Sequence, residues 1–102
     1  MRLRILPSAL DDLDLGRLFY GQHAESLGAY FLDSLFDDID GLALSAGIHI
    51  QIWGFHRVLS RRFPYAIYYK IEGDVCIVWR VLDCRRRPSR LQQALSSGST
   101  EN

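Results

Sequence analysis

The sequence predicts a small α+β domain: an N-terminal strand, an α-helical hairpin, then a three-stranded antiparallel meander. Three observations carry this reading. Leu27, Phe31, Leu35, Ile39 and Leu42 recur at steps of four, four, four and three, the spacing of one buried helix face. After Gly47 that period gives way to short runs of β-branched and aromatic residues bounded by Gly54, Pro64 and Gly73-Asp74. At the start of the chain, Leu3 and Ile5 alternate with Arg2 and Arg4, as in a half-exposed strand.

Taken in order, the strand over residues 2–6 ends at Pro7. Ser8 followed by Ala9-Leu10-Asp11 reads as a capping-box-like helix start, with Leu10, Leu13 and Leu18 on the buried side. Gly21-Gln22-His23 stops that helix. The second helix carries Asp33, Asp37, Asp38 and Asp40 outward and meets its C-terminal cap at Gly47. Strands are expected near 57–62, 65–71 and 75–82. Glu72-Gly73-Asp74 forms a tight hairpin, and Phe63-Pro64 forces a break, because proline cannot donate to a central ladder. Residues 49–53 also alternate, and they either begin the meander early or form the loop that leads into it.

Beyond Pro88 a short helix is expected to about Leu95, and residues 96–102 have the composition of a disordered tail, which leaves 1–95 as a single domain. In the last strand Val75, Ile77, Trp79 and Val81 point one way, and Cys76, Val78, Arg80 and Leu82 the other. The helix hairpin should cover one face of the sheet. The other face, with Arg80 on it, is left for binding.

At 102 residues and 48% hydrophobic composition the chain can build one modest core, burying roughly 60–65% of its unfolded surface. No stretch reaches the ~18 apolar residues of a membrane span. Met1-Arg2-Leu3-Arg4 runs into Pro7 without a signal-peptide core, so the expectation is a cytoplasmic protein with no membrane association. Cys76 and Cys84 lie within and just after one strand, where a disulfide would need a bend the pattern does not suggest. His23, His49 and His56 lack metal-ligand spacing, and no metal or cofactor is expected.

Zero net charge conceals a polarised molecule. Residues 1–50 hold three basic and eight acidic residues, a formal −5, and the rest hold nine basic and four acidic, +5. The nine are Arg57, Arg61, Arg62, Lys70, Arg80, Arg85, Arg86, Arg87 and Arg90. Such polarity suggests a basic working surface for an anionic partner. Without further information, Arg85-Arg86-Arg87 reads most simply as a solvated charge run.

The run from Arg57 through Phe63-Pro64-Tyr65-Ala66-Ile67-Tyr68-Tyr69, followed by an apolar strand and Asp83-Cys84-Arg85-Arg86-Arg87-Pro88, resembles ParE toxins of the RelE/ParE superfamily of type II toxin-antitoxin systems. The resemblance spans nearly the whole chain. Arg87 stands where that family often has Asp, and Leu91 where it often has Trp, so this C-terminal surface is more basic and less aromatic. The resemblance implies a RelE/ParE-like fold and a bacterial, plasmid-stabilising type of toxin held in a hetero-oligomer by a cognate antitoxin. It also implies DNA gyrase as the target; RelE-like relatives instead cleave mRNA in the ribosome.

The two activities ask for different residues. Cleavage through the 2′-hydroxyl needs a proton acceptor, a proton donor and cations around the phosphate. Arg57, Arg61, Arg80 and Arg86 could hold phosphate, but Lys70 is the only lysine and no tyrosine follows Tyr69. His56 could substitute as a base, although a histidine beside Phe55 is more often structural. A gyrase inhibitor needs no reacting group, only a fitting surface, and the planar arginine fork suits carboxylates and phosphates alike. The expected target contacts are therefore Arg86, Arg87 and Arg90, with Arg85, Arg61 and Arg80 behind them and no catalytic residue. Leu13, Leu18 and Tyr20 on the first helix are the candidate antitoxin contacts, with core packing as the competing explanation. A nucleic-acid-binding module without toxicity is the third reading, opposed by the acidic helix face that would repel a duplex.

Overall fold

In the computed structural model, which describes residues 1–98, the break at Pro7 is also the first turn of a helix. Strand β1 (Arg2–Ile5) is followed by α1 (Pro7–Gly21), with proline at the position where a missing N–H costs nothing. This displaces the expected Ser8 cap. Leu6 occupies the N-cap without a side-chain bond, and Ser8, already inside the helix, donates its hydroxyl to the Trp79 carbonyl at 2.9 Å. Helix α2 (Glu25–Ser45) buries Phe31, Leu35, Ile39 and Leu42, as their spacing demands. Gly47, just past its end, has φ +102°, a conformation that suits glycine.

The remaining elements are β2 (Gln51–Ile52), β3 (Phe55–Leu59), β4 (Tyr65–Glu72), β5 (Val75–Asp83) and α3 (Pro88–Gly98). One sheet runs in the order β1-β5-β4-β3-β2, with β1 parallel to β5 and the other neighbours antiparallel. Residues 49–53 thus do begin the meander. Ile52 pairs with Phe55 across Trp53 and Gly54, both at positive φ, as in a two-residue hairpin turn.

β3 stops at Leu59, short of the expected 62. Ser60 and Arg61 turn aside to bond Asp38 on α2, and the Phe63 ring packs with Tyr20, Tyr30 and Phe31. At its other end, α3 runs past the expected Leu95 to Gly98, so the first residues of the expected tail are helical. Residues 99–102 lie outside the described residues.

Two cores sandwich the sheet. On one face Leu13, Phe31, Leu35, Ile39 and Leu42 of the helix hairpin meet Ile67, Tyr69, Cys76, Val78 and Val81. On the other, Leu91 and Leu95 of α3 join Phe55, Tyr68, Ile77, Trp79 and Leu82. The second face is therefore not left bare as expected, because α3 folds back over it.

A bulge explains the other correction. Tyr68 pairs with Arg80 and Tyr69 with Val78, which leaves Trp79 as the extra residue. Beyond it the alternation resets: Val81 joins Cys76 and Val78 in the first core, and Leu82 joins Ile77 and Trp79 in the second. The bulge lies where β1 has ended, and α1 completes the hydrogen bonding there. Ser8 takes the Trp79 carbonyl, and the Asp12 carboxylate accepts from the Val81 N–H at 2.9 Å.

Candidate functional site

The site forms where β5 runs out into the turn before α3. Asp83 builds that turn. Its carboxylate accepts from the Arg85 backbone N–H at 2.9 Å and from the Arg85 guanidinium at 2.9 and 2.7 Å. The Arg85 side chain is the main reason the Asp83 carboxyl is held below its usual range, and the same pairing raises Arg85. The Cys84 N–H donates to the Pro64 carbonyl at 2.8 Å, which ties the turn to the break before β4.

Arg80 fixes the floor. Its guanidinium donates twice to Asp12 of α1, at 2.7 and 2.8 Å, and once to the Ala94 carbonyl of α3 at 2.7 Å. One side chain thereby joins a strand to two helices, and its pair with Asp12 is nearly buried. Above it a cleft of about 560 Å³ is lined by Arg80, Arg86, Arg87, Arg90, Gln93 and Ala94. Arg86, Arg87 and Arg90 are exposed and form no ion pair among the described residues. Nothing acidic stands in the first turn of α3, so the positive end of the helix adds to their field.

The structure thus brings Arg80, Arg86, Arg87 and Arg90 together and separates two expected contacts from them. Arg61 is drawn to α2, where Asp38 takes its Nε at 2.8 Å. Arg85 is exposed but spends its fork on Asp83. Arg80 does not present a free charge, because Asp12 and Ala94 occupy it.

Of the expected antitoxin contacts, Leu13 is corrected: at 1% exposure it is core and has no surface to offer. Tyr20 is half-buried and stacked on Phe31 at 5.1 Å, with the Phe63 ring at 4.9 Å. Leu18 is 49% exposed and lines a groove of about 460 Å³ across the helix hairpin, beside Gly21, Gly28 and Leu32. The two helices meet closely at this groove: a Cβ on Gly28 would stand 2.6 Å from the Arg17 carbonyl oxygen.

Two residues that sequence reasoning missed are Leu15 and Phe19, 63% and 46% exposed on the outer side of α1. They line a smaller cavity of about 290 Å³ together with Tyr65, Asp12, Asp83 and Arg86, and Arg86 is shared with the basic cleft. The signal was present, since α1 has more leucines and aromatics than one buried face can hold.

The alternative chemistry has a nearest candidate in the cross-strand row Arg57–Tyr68–Arg80 on the second face. Tyr68 is 1% exposed, and burial raises its phenol pKa despite the hydrogen bond from Arg57. A hydroxyl so placed is a core group that substrate does not reach. Cys84 is exposed and free, and Cys76 is buried, its thiol pushed up to about 11 by desolvation. No helix among the described residues is long and apolar enough to cross a membrane.

An α-helical hairpin laid on a five-stranded sheet, with the first strand parallel to the last, is a fold shared with a solved structure. The chain is similar to one chain of the chromosomal ParDE TA system from P. aeruginosa, with a TM-score of 0.72 and 16% identity, over 79% of this chain and 92% of that one. This is the fold that the ParE resemblance implied. No protein-family model and no curated protein sequence matches the chain.

Proposed function

We propose that the protein is the toxin of a type II toxin-antitoxin pair, ParE-like in action, and that it inhibits DNA gyrase through the cleft of Arg86, Arg87 and Arg90. The observation that carries this reading is the composition of the cleft. Three arginines that form no ion pair among the described residues converge there, and none of the described residues lining it is a tyrosine, histidine or lysine that could move a proton. Such a surface grips an anionic partner and does no chemistry on it. A ribosome-dependent nuclease would need acid-base groups beside the phosphate holders.

Leu15, Leu18 and Phe19 give a cognate antitoxin apolar surface to cover on α1. Because Arg86 borders both the cavity beside Leu15 and Phe19 and the cleft, an antitoxin seated on α1 would also screen the target surface. The likeness to a ParDE chain supports the pairing. The test is to incubate the purified chain with gyrase, ATP and supercoiled plasmid and to measure linear DNA after protein removal. Dose-dependent linear product is the expected result. Intact plasmid with cleaved mRNA on translating ribosomes would replace gyrase as the target.

A further inference from the structure

Tyr69 of β4 is fully buried, and its hydroxyl is the hub of a polar cluster where α2 passes into β2. The Gly47 N–H donates to the Tyr69 oxygen at 2.9 Å, and the backbone of His49 also bonds it. An oxygen already accepting must place its own hydrogen elsewhere. Nδ1 of His49 stands 2.6 Å away and is the acceptor, which requires a neutral His49 with its proton on Nε2. His56 has the opposite tautomer. Its Nδ1 lies 2.9 Å from the His49 carbonyl, which can only accept, and its ring stacks on Tyr69 with centroids 4.9 Å apart.

With His49 turned inward, its neighbours face out: Ile48 and Ile50 are 79% and 63% exposed. Leu44, at the end of α2, is 98% exposed, and residues 41–56 contain no Asp, Glu, Lys or Arg. The cluster therefore fixes an uncharged, apolar tip in one conformation.

We infer that the hydrogen bond from Tyr69 to His49 is a proton-sensitive latch on the Gly47–Ile50 segment, closed when His49 is neutral and released when it is protonated. A proton on Nδ1 would aim another donor at an oxygen that already accepts, and the phenol hydrogen would lose its acceptor. The titratable groups facing His49 are Tyr69 from β4 and His56 from β3, with the Cys76 thiol of β5 beyond Tyr69. None of them is an acid that would welcome the new cation. Burial, and secondarily His56, already push the His49 pKa below 6.5.

The sign follows from linkage. The open segment takes up a proton at about pH 6.5 and the closed one resists it, so acid favours opening, by about tenfold per pH unit between the two pKa values. The latch makes Ile48 and Ile50 a preset surface at neutral pH and a loose one in acid. It stands or falls independently of the toxin reading.

The experiment is an NMR titration of the intact chain from pH 8 to 5, following the histidine rings and, in parallel, exchange of the Gly47 amide corrected for its intrinsic pH dependence. The expected result is a His49 midpoint below 6.5, with Gly47 protection falling by up to about tenfold per pH unit between pH 6.5 and that midpoint and levelling off below it. Tyr69→Phe should return that midpoint toward 6.5 and remove the coupling. Should Tyr69→Phe not fold, His49→Asn serves instead, because its amide oxygen accepts the same bond without titrating and should keep Gly47 protected down to pH 5. Gly47 protection that is unchanged between pH 6.5 and the His49 midpoint, or an acid transition that survives His49→Asn, would overturn the proposal.

Discussion

Arg80 and Arg86 are the same residue type in one stretch of chain, and they line the same cleft, yet they play opposite parts. Arg80 is anchored on both sides, to a nearly buried carboxylate of α1 and to a carbonyl of α3. Arg86, with Arg87 and Arg90, has no such partner among the described residues and lies exposed at the rim. Charge counted along the sequence treats them alike. The difference lies in whether a tertiary partner already satisfies the fork: a paired guanidinium shapes the site, and an unpaired one is available to whatever enters it.

The largest effect should come from breaking the paired member. Removing one side of a buried ion pair leaves the other charge uncompensated, which costs about 3–5 kcal/mol. Asp12→Ala should approach that figure, since it also strands the Val81 N–H, and urea denaturation would measure it. A double variant, Asp12→Leu with Arg80→Met, should cost less than Asp12→Ala alone. If it costs more, Arg80 contributes through Ala94 and its aliphatic stem rather than through the pair.

Next in size is the helix that carries the rim. Leu95 is 2% exposed in the second core, and truncating a buried leucine costs about 2–5 kcal/mol. Leu95→Ala should loosen α3 and lower target affinity without touching a charged residue. Proteolysis after residue 87, compared with wild type, would report the loosening.

How much of this was legible in the sequence depends on the range of the interaction. The α2 stripe, the hairpin at Gly73 and the break at Pro64 are local, fixed by spacing and backbone chemistry within a few residues, and they were read correctly. The Asp12–Arg80 pair joins residues 68 positions apart, and nothing local marks Asp12 out from Asp11 or Asp14. The bulge at Trp79 was equally hidden, because it answers to where β1 stops and α1 takes over, and it moved Val81 and Leu82 to faces that strict alternation does not give. The Arg86–Arg87–Arg90 cluster was found from a resemblance, and what the sequence lacked was the means to tell these arginines from Arg61, which Asp38 claims from another helix.

The unpaired member should respond in the opposite way. Arg86→Ala with Arg87→Ala should change stability within about 0.5 kcal/mol, as exposed substitutions do, while abolishing toxicity in a growth assay. Full toxicity with unchanged stability would mean that the cleft is not the working surface. Leu18→Asp gives the complementary result. It should leave stability and toxicity near wild type while weakening neutralisation by the antitoxin, because the side chain is 49% exposed and lines the helix-hairpin groove, away from the arginine rim.

The smallest effect belongs to the pair that stands between these extremes. Asp83 is mostly buried on its side chain and Arg85 mostly exposed, so solvent screens the attraction from one side and the pair contributes under about 1 kcal/mol. The Asp83 carboxyl titrates below its ordinary 3.8 in the fold, mainly because Arg85 bonds it. A depressed carboxylate stabilises the native state above the unfolded pKa, and that contribution is lost as pH falls through the folded value. The loss therefore lies wholly below about pH 4, out of reach of neutral-pH assays. Asp83→Asn should remove that contribution, lowering stability at pH 7 by under about 1 kcal/mol, and the difference from wild type should close as pH falls from about 4 to about 2. A large loss at pH 7 would instead place Asp83 with Asp12, as an anchor of the fold, and would make the Cys84–Arg87 turn part of the rigid floor of the cleft.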